Sequence, residues 1–277
     1  MIKAEEKTSL ARICELLEFP ISSYYYKPVE NTRDMFITER LRALHQEHGE
    51  RYGKRRMVRV LQKEGIIVSV FKVAKLMRNA GLVAIRPRKP HYYRTGKAFP
   101  NIPNLLNREF NQDTMNTHWV GDITYIRSYQ GWSYLATVMD LGTREIVGYA
   151  MSRTPDAQLA KDALIHAIKS QRPNTRKLMF HSDQGVQYSA KLFQDSLELH
   201  SITQSMSRRG NCWDNAIQER FFRNLKTEYL NRLSFINHRA VVSAVEHYIR
   251  YYNHKRLNSA IDYLTPAQKR QELLKAA

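Results

Sequence analysis

The chain has 277 residues, room for one large domain or two modest ones, and its 43% hydrophobic and 10% aromatic content marks it as globular rather than disordered. A formal net charge of +18 points to an anionic partner, nucleic acid first and an anionic membrane surface second, unless the chain is simply a basic soluble protein. No apolar run approaches the roughly 20 residues that span a bilayer. The N-terminus lacks a signal-peptide pattern, and Cys14 and Cys212 make neither a disulfide framework nor a four-ligand zinc site, so a cytoplasmic chain with reduced thiols is expected.

Residues 8–26 (TSLARICELLEFPISSYYY) read as two short helices around a turn at Phe19-Pro20, either a small helix-turn-helix or a packed arm. From Asp34 to about Ala80 the pattern is helical. Ile37, Leu41 and Leu44 share one face, Met57, Val60 and Leu61 follow a turn at Tyr52-Gly53, and Val70, Val73, Leu76 and Met77 form a third stripe. Ser69 is a suitable N-cap and Gly81 a suitable C-terminal stop. Three such helices with tight turns suit a helix-turn-helix module whose last helix enters a DNA groove.

Charge agrees with that reading. Between Arg51 and Lys97 there are fourteen Lys or Arg and a single acid, Glu64. Such one-sided balance over folded helices is a phosphate-binding footprint, with Lys54, Arg55, Arg56, Lys72 and Lys75 as candidate DNA contacts. Residues 85–115 carry four prolines and little periodicity, which predicts a linker, basic at its start, where Tyr92, Tyr93 and Arg94 either track DNA or form part of a plain tether.

Beyond residue 116 the period changes. HWVGDITYIRS, WSYLATVMDLG and EIVGYAMS read as an antiparallel meander, with Trp119 and Trp132 expected in the core. A helix capped at Thr154 with Pro155 first, a strand in KLMFHSDQG, a helix through AKLFQDSLELH and a strand in ITQSMS follow. The next stretch, RGNCWDNAIQERFFRNLKTEY, reads as a loop, an N-cap at Asp214 and a helix of about four turns. Glu219, Arg223 and Lys226 lie at i, i+4 and i+7 on one face of it. The tail is a helix, a basic Tyr-rich loop containing Arg250, Lys255 and Arg256, and a last helix starting near Thr265-Pro266. Meander first and alternation afterwards make an α/β class with a mixed, helix-covered sheet.

Three acids stand out. Asp122 lies mid-strand, where a buried charge is costly without a partner, Asp183 ends the fourth strand, and Glu219 is on the late helix. Sixty residues separate the first two and thirty-five the last two. Asp140 and Asp214 lack this spacing, and His181, two residues before Asp183, is not a usual Mg²⁺ ligand and reads as structural.

The blocks WVGDITYI, HSDQGVQY and GNCWDNAIQERFFRNLKTE resemble the three catalytic blocks of the DDE transposase and integrase superfamily. More narrowly they resemble the second-reading-frame (OrfB) transposases of the IS-three family of bacterial insertion sequences. The thirty-five-residue gap, the base Lys226 seven residues past Glu219, the terminal YYNHKRLNSAIDYLTPAQ and RYGKRR in the helix-turn-helix region all fit, over nearly the whole chain.

The resemblance implies an RNase H-like, five-stranded mixed sheet with flanking helices, preceded by an all-α DNA-binding region. The expected order is an N-terminal arm (1–33), a helix-turn-helix domain (34–84), a linker (85–115), a catalytic core (116–232) and a helical extension (233–277). It further implies that Asp122, Asp183 and Glu219 are catalytic and hold two Mg²⁺ ions, for which Mn²⁺ would substitute. The activity implied is hydrolysis at element 3′ ends followed by strand transfer of the 3′-OH. Lys226 and Arg223 would hold phosphate beside the metals, and Arg208 and Arg209 the terminal nucleotides. Expected partners are terminal inverted repeats, target DNA, further copies of the chain, and an upstream reading-frame product fused by frameshifting. Copy-out, paste-in transposition through a circular intermediate is the implied pathway. A non-catalytic DNA-binding regulator explains the basic helices but not the three acids. An RNase H-like nuclease explains the acids but not the basic helical region.

Overall fold

The computed structural model describes residues 9–26, 31–86, 102–208 and 212–276. Tyr92, Tyr93, Arg94 and Arg209 therefore lie outside the described residues. Two short helices, α1 (Leu10–Leu16, capped by Ser9) and α2 (Ile21–Tyr25), precede α3 (Thr32–Glu47), α4 (Lys54–Lys63) and α5 (Val70–Asn79). The last three close one core from Ile37, Leu41, Leu44, Met57, Leu61, Val73, Leu76 and Met77. The Ser69 hydroxyl accepts the Lys72 N–H to start α5, and Gly81 follows its end at φ +68°, where a side chain would be strained.

Tyr52 is more than a turn residue. It is fully buried, its hydroxyl donates to the Lys255 carbonyl at 2.9 Å and accepts the Leu257 N–H at 2.8 Å. Leu257 itself joins the core of the three helices. A buried phenol with both bonding capacities met fixes the helical region onto the C-terminal extension. Around it, the Arg51 guanidinium lies 4.4 Å from the centroid of the Tyr251 ring and 5.3 Å from that of Tyr229.

The sheet has the order β3-β2-β1-β4-β5. Strands β1 (His118–Ser128), β2 (Gly131–Asp140) and β3 (Ile146–Ser152) form the expected meander, while β4 (Met179–Ser182) runs parallel to β1 and β5 (Thr203–Met206) parallel to β4. Helix α6 (Ala157–Gln171), α7 (Val186–Ser189) and α8 (Lys191–Leu199) cover one face over Trp119, Val138 and Phe180. Helices α9 (Ala216–Glu228) and α10 (His238–His254) cover the other over Val120, Leu135 and Met139. This is the RNase H-like arrangement expected from the sequence. The cap of α6 is Asp156, not Thr154: Asp156 accepts the Leu159 N–H, and the Thr154 hydroxyl donates to Asp156 instead.

Residues 102–115 are not a plain linker. Leu106 is buried in the core under α9 and α10, the Leu105 and Leu106 N–H groups donate to the Ser205 hydroxyl, and Met206 N–H donates to the Pro103 carbonyl. The segment is a strap across the end of the sheet. In the tail, α11 (Pro266–Ala276) begins with a reciprocal cap between Thr265 and Gln268. Arg256, one of the tail bases that the sequence offers for target or end DNA, is 4% exposed and instead grips the Glu228 carboxylate through two bonds of 2.8 and 2.6 Å. Tyr248 donates to the same carboxylate at 2.8 Å, and Arg56 of α4 reaches it at 3.9 Å. Burial pushes the Glu228 carboxyl up, but Arg256, Arg56 and Tyr248 outweigh it and hold the group below its ordinary value.

Two stability outcomes follow from these contacts. A Cβ on Gly148 of β3 would lie 2.5 Å from the Ala163 carbonyl oxygen and 2.6 Å from the Ala167 nitrogen of α6. Gly148→Ala should therefore cost about 1–3 kcal/mol in urea unfolding, because backbone rather than a side chain must give way. Glu228→Gln should cost roughly 3–5 kcal/mol near neutral pH by leaving Arg256 buried without its counter-charge. Because the folded carboxyl is held low, its contribution is present above the ordinary carboxylate range and lost as pH falls through and below it. Unfolding curves taken at decreasing pH should show the gap between wild type and Glu228→Gln closing.

Candidate active site

Parallel pairing of β1 with β4 ends with Gly121 opposite Ser182, so the next residue on each chain, Asp122 and Asp183, stand side by side at the end of β4. Gly121 is required there, since a Cβ would lie 2.3 Å from the buried Phe180 ring. The Ile123 N–H donates to Asp122 Oδ1 at 2.8 Å and the Gly185 N–H to Asp183 Oδ1 at 3.0 Å. The second oxygen of each carboxylate accepts no bond among the described residues. Helix α9 brings Glu219 over them.

The three acids feel one another. Burial pushes the Asp122 carboxyl far up, and the charges of Asp183 and Glu219 push it further. Burial also raises Asp183, and burial with the nearby Asp183 charge raises Glu219, against the pull of Arg223. The buried Tyr188 hydroxyl is raised chiefly by burial and then by both aspartates. Among the described residues, no three His, Cys, Asp or Glu side chains are drawn together tightly enough to hold one ion as they stand.

Two contacts set where α9 lies. Gln218, beside Glu219 and fully buried, donates from Nε2 to the carbonyl of Thr137 at 3.2 Å and also bonds the Thr137 hydroxyl. Thr137 is the residue paired with Asp122 across the β1–β2 ladder, so the helix is tied to the strand position facing the first acid. Its far end is held by the Glu228 cluster. Before α9, Asp214 is not the expected cap. Asn215 occupies that position, while the Asp214 carboxylate, 1% exposed, is bonded by Arg208, Arg108 and Asn104. Burial opposes its ionisation, but the two arginines hold it well below the usual carboxylate range. Arg208 is thus occupied with Asp214 rather than turned to a ligand.

His181 is buried, and burial lowers its pKa to about 4, so it is neutral. Nε2 faces the Asp214 carbonyl at 3.1 Å, which only accepts, so Nε2 carries the proton and Nδ1 accepts from the Ser205 hydroxyl at 2.8 Å. The ring fastens the turn before α9 to the sheet. Asp140 is likewise structural, bonded by the Asn116 and Thr143 N–H groups.

The predicted bases divide. Lys226 is half-buried with its ammonium 4.5 Å from the Tyr125 ring centroid, its pKa lowered by burial against the pull of Asp122. Arg223 lies beside Glu219, and Lys54, Arg55 and Lys75 are exposed, as are Arg250 and Lys255 of the tail. Arg56 is turned inward to Glu228 and Tyr52, and Lys72 is paired with Asp34 of α3.

Sequence reasoning missed an aromatic platform. Trp132, expected in the core, is 43% exposed, edge-on to Tyr125 with centroids 5.2 Å apart, and Arg127 lies 5.0 Å from its ring. Together with Lys226 and Phe235 they line a cavity of about 290 Å³. The signal was the alternation at the end of β1, where Tyr125 and Arg127 are exposed and Ile126 and Ser128 between and after them are buried.

Among known families, the integrase core domain matches residues 112–212 and a second integrase core family matches 200–266, with an HTH-like domain at 33–90. The transposase of insertion sequence element IS904 from Lactococcus lactis subsp. lactis (strain IL1403) is 37% identical over 83% of this chain and 91% of its own length. Transposase InsF of insertion sequence IS3A from Escherichia coli (strain K12) is 40% identical over 79% of this chain and 76% of its own. Among solved structures, the HTLV-2 integrase catalytic core domain in complex with magnesium (trimeric form) has a TM-score of 0.44 at 16% identity, covering 55% of this chain and 95% of that one. Among the described residues, no helix is long and apolar enough to cross a membrane. A DNA-binding helical region in front of an integrase core, in a chain running most of the length of curated insertion-sequence transposases, belongs to the IS3 family of DNA transposases, which are DDE-type polynucleotidyl transferases.

Proposed function

We propose that Asp122, Asp183 and Glu219 are the catalytic carboxylates of this transposase and that they act on the 3′ ends of its own element. The observation that carries this reading is the end of the β1–β4 register, which leaves Asp122 and Asp183 adjacent beneath the Glu219 helix. Three mutually repelling carboxylates, each pushed up by burial, suit a site completed by cations. Their hard oxygens, with one oxygen of each aspartate uncommitted, fit a divalent metal, Mg²⁺ foremost and Mn²⁺ as a substitute. When bound, such ions, two in the expected arrangement, stabilise charge on the attacking and leaving oxygens of in-line displacement at phosphorus.

The reaction has two displacements. Water attacks the phosphorus at the element boundary and the 3′ oxygen leaves, freeing a 3′-OH. That hydroxyl then attacks a second phosphodiester, forming one P–O bond as another breaks, so no ATP is consumed. Lys226, held against Tyr125, neutralises the phosphate beside Asp122. Tyr125 and Trp132 offer faces on which displaced bases stack, with Arg127 on the backbone. On α5, Phe71, Lys75 and Arg78 are exposed at i, i+4 and i+7, the face that enters a groove of the terminal repeat. Two element ends require at least two copies on DNA, and an upstream reading-frame product joined by frameshifting supplies further recognition.

The test uses purified protein, Mg²⁺ and a labelled duplex carrying the element's end. Wild type should nick at the 3′ end and join strands, and Glu219→Gln should do neither. Equal products from both proteins would remove Glu219 from the mechanism. In the same assay, Gln218→Leu should lower the cutting rate on the order of a hundredfold, since a small displacement of Glu219 is felt directly, while leaving DNA affinity unchanged. An equal loss of affinity would show that Gln218 does not act by positioning α9.

A further inference from the structure

On the opposite side of α9 from the platform is a second cavity of about 190 Å³, formed where the helix-turn-helix region, the β2–β3 turn, α9, the end of α10 and the 258–260 loop meet. Four arginines line it, one from each of four elements: Arg56 of α4, Arg144 of the β2–β3 turn, Arg220 of α9 and Arg256 after α10. Glu228 answers two of them, Arg256 closely and Arg56 at 3.9 Å. Arg220 and Arg144 have no salt bridge among the described residues.

Arg144 is the telling group. It is 3% exposed, and its Nη2 donates to the Phe110 carbonyl at 2.8 Å. Its Nε and Nη1, both buried, have no hydrogen-bond partner among the described residues. The nearby Asp140 carboxylate is already taken up by Asn116 and Thr143. A guanidinium kept out of water with two donors unmet is expensive unless something fills them. The backbone adds to this, for Arg144 has φ +62°, a conformation that glycine or asparagine adopts more easily. A long base thus sits at a strained position, half-bonded among the described residues, at the wall of a polar cavity.

We infer that this cavity is an anion site that takes a phosphate group of the bound DNA backbone. The unmet Arg144 N–H groups are charged donors suited to phosphate oxygens, and Arg220 and Asn224 extend the donor set at the mouth. The inference rests on the reading above that this chain acts on its element's end. Residues Ile217, Arg220, Phe221 and Asn224 face the cavity while Glu219, Arg223 and Lys226 occupy the neighbouring stripe of α9. A backbone anchored here passes over one helix to reach the carboxylates.

The test is the salt dependence of binding to the labelled end duplex, measured by fluorescence anisotropy on the full chain. Arg220→Ala, at an exposed position, and Arg144→Met should each weaken binding by about tenfold and lower the slope of log K against log[salt] by about one, as loss of one phosphate contact does. Lys191→Ala, an exposed base far from the cavity, serves as control and should leave the slope unchanged. If Arg144→Met unfolds, Arg220→Ala decides alone. Slopes equal to wild type overturn the inference. In that case, thermal stabilisation of the wild type by inorganic phosphate that disappears in Arg220→Ala would name a free anion as the occupant. Glu219→Gln is run in parallel. If it cuts like wild type while the arginine variants still lose slope, the catalytic assignment fails and the phosphate site stands.

Discussion

Everything in the core depends on where α9 is held. One aspartate lies on β1 and the other one residue past β4, so the parallel pairing of those strands sets their relative position. The glutamate comes from a helix, which can slide or turn on an apolar surface at little energetic expense. The chain removes that freedom at both ends. Gln218 bonds Thr137, the residue paired with Asp122, and Glu228 is buried among Arg256, Arg56 and Tyr248. Between these points Phe221, Phe222 and Leu225 pack on the sheet. A polar contact at each end gives the apolar interface a single register.

The same device explains why the basic residues fall into two kinds. Some bases stay exposed and form no salt bridge among the described residues, as with Lys54, Arg55 and Lys75. Others are spent on architecture. Arg256 and Arg56 meet Glu228, Arg208 and Arg108 meet Asp214, and Lys72 meets Asp34. The net charge of +18 therefore overstates the number of cations available to DNA, although it gives the correct sign of the partner.

This division also marks how far the sequence could be read. The strands and helices of the core were legible because their periods of two and 3.6 are enforced by a buried face, and the three acids were legible from their places on those elements. Charge has no such period. Nothing local to Arg56 or Arg256 announces a carboxylate that arrives from the end of α9. Trp132 reads as core because large aromatics are usually buried, but it sits near the turn end of the β1–β2 hairpin, where its ring is 43% exposed. The strap at 102–115 reads as part of a linker in the sequence because the stretch is proline-interrupted and has little periodicity. Its contacts are instead made by single residues such as Leu106 and Arg108, which no repeating pattern reveals. Thr154 lost the capping position to Asp156 by two residues, a choice among adjacent oxygen-bearing side chains that local preference does not resolve.

The bridge made by Tyr52, from the Lys255 carbonyl to the Leu257 N–H, bears on how such chains diversify. DNA-reading regions are often treated as cassettes, exchangeable in front of a constant engine. Here the region is completed by Leu257, contributed from beyond the engine, and its Arg51 lies against the rings of Tyr229 and of Tyr251 on α10. The first and last thirds of the polypeptide are thus halves of one joint. Two relatives that traded only their front portions would inherit a mismatched joint, so inheritance of new end-sequence specificity should travel with the tail as well as the head.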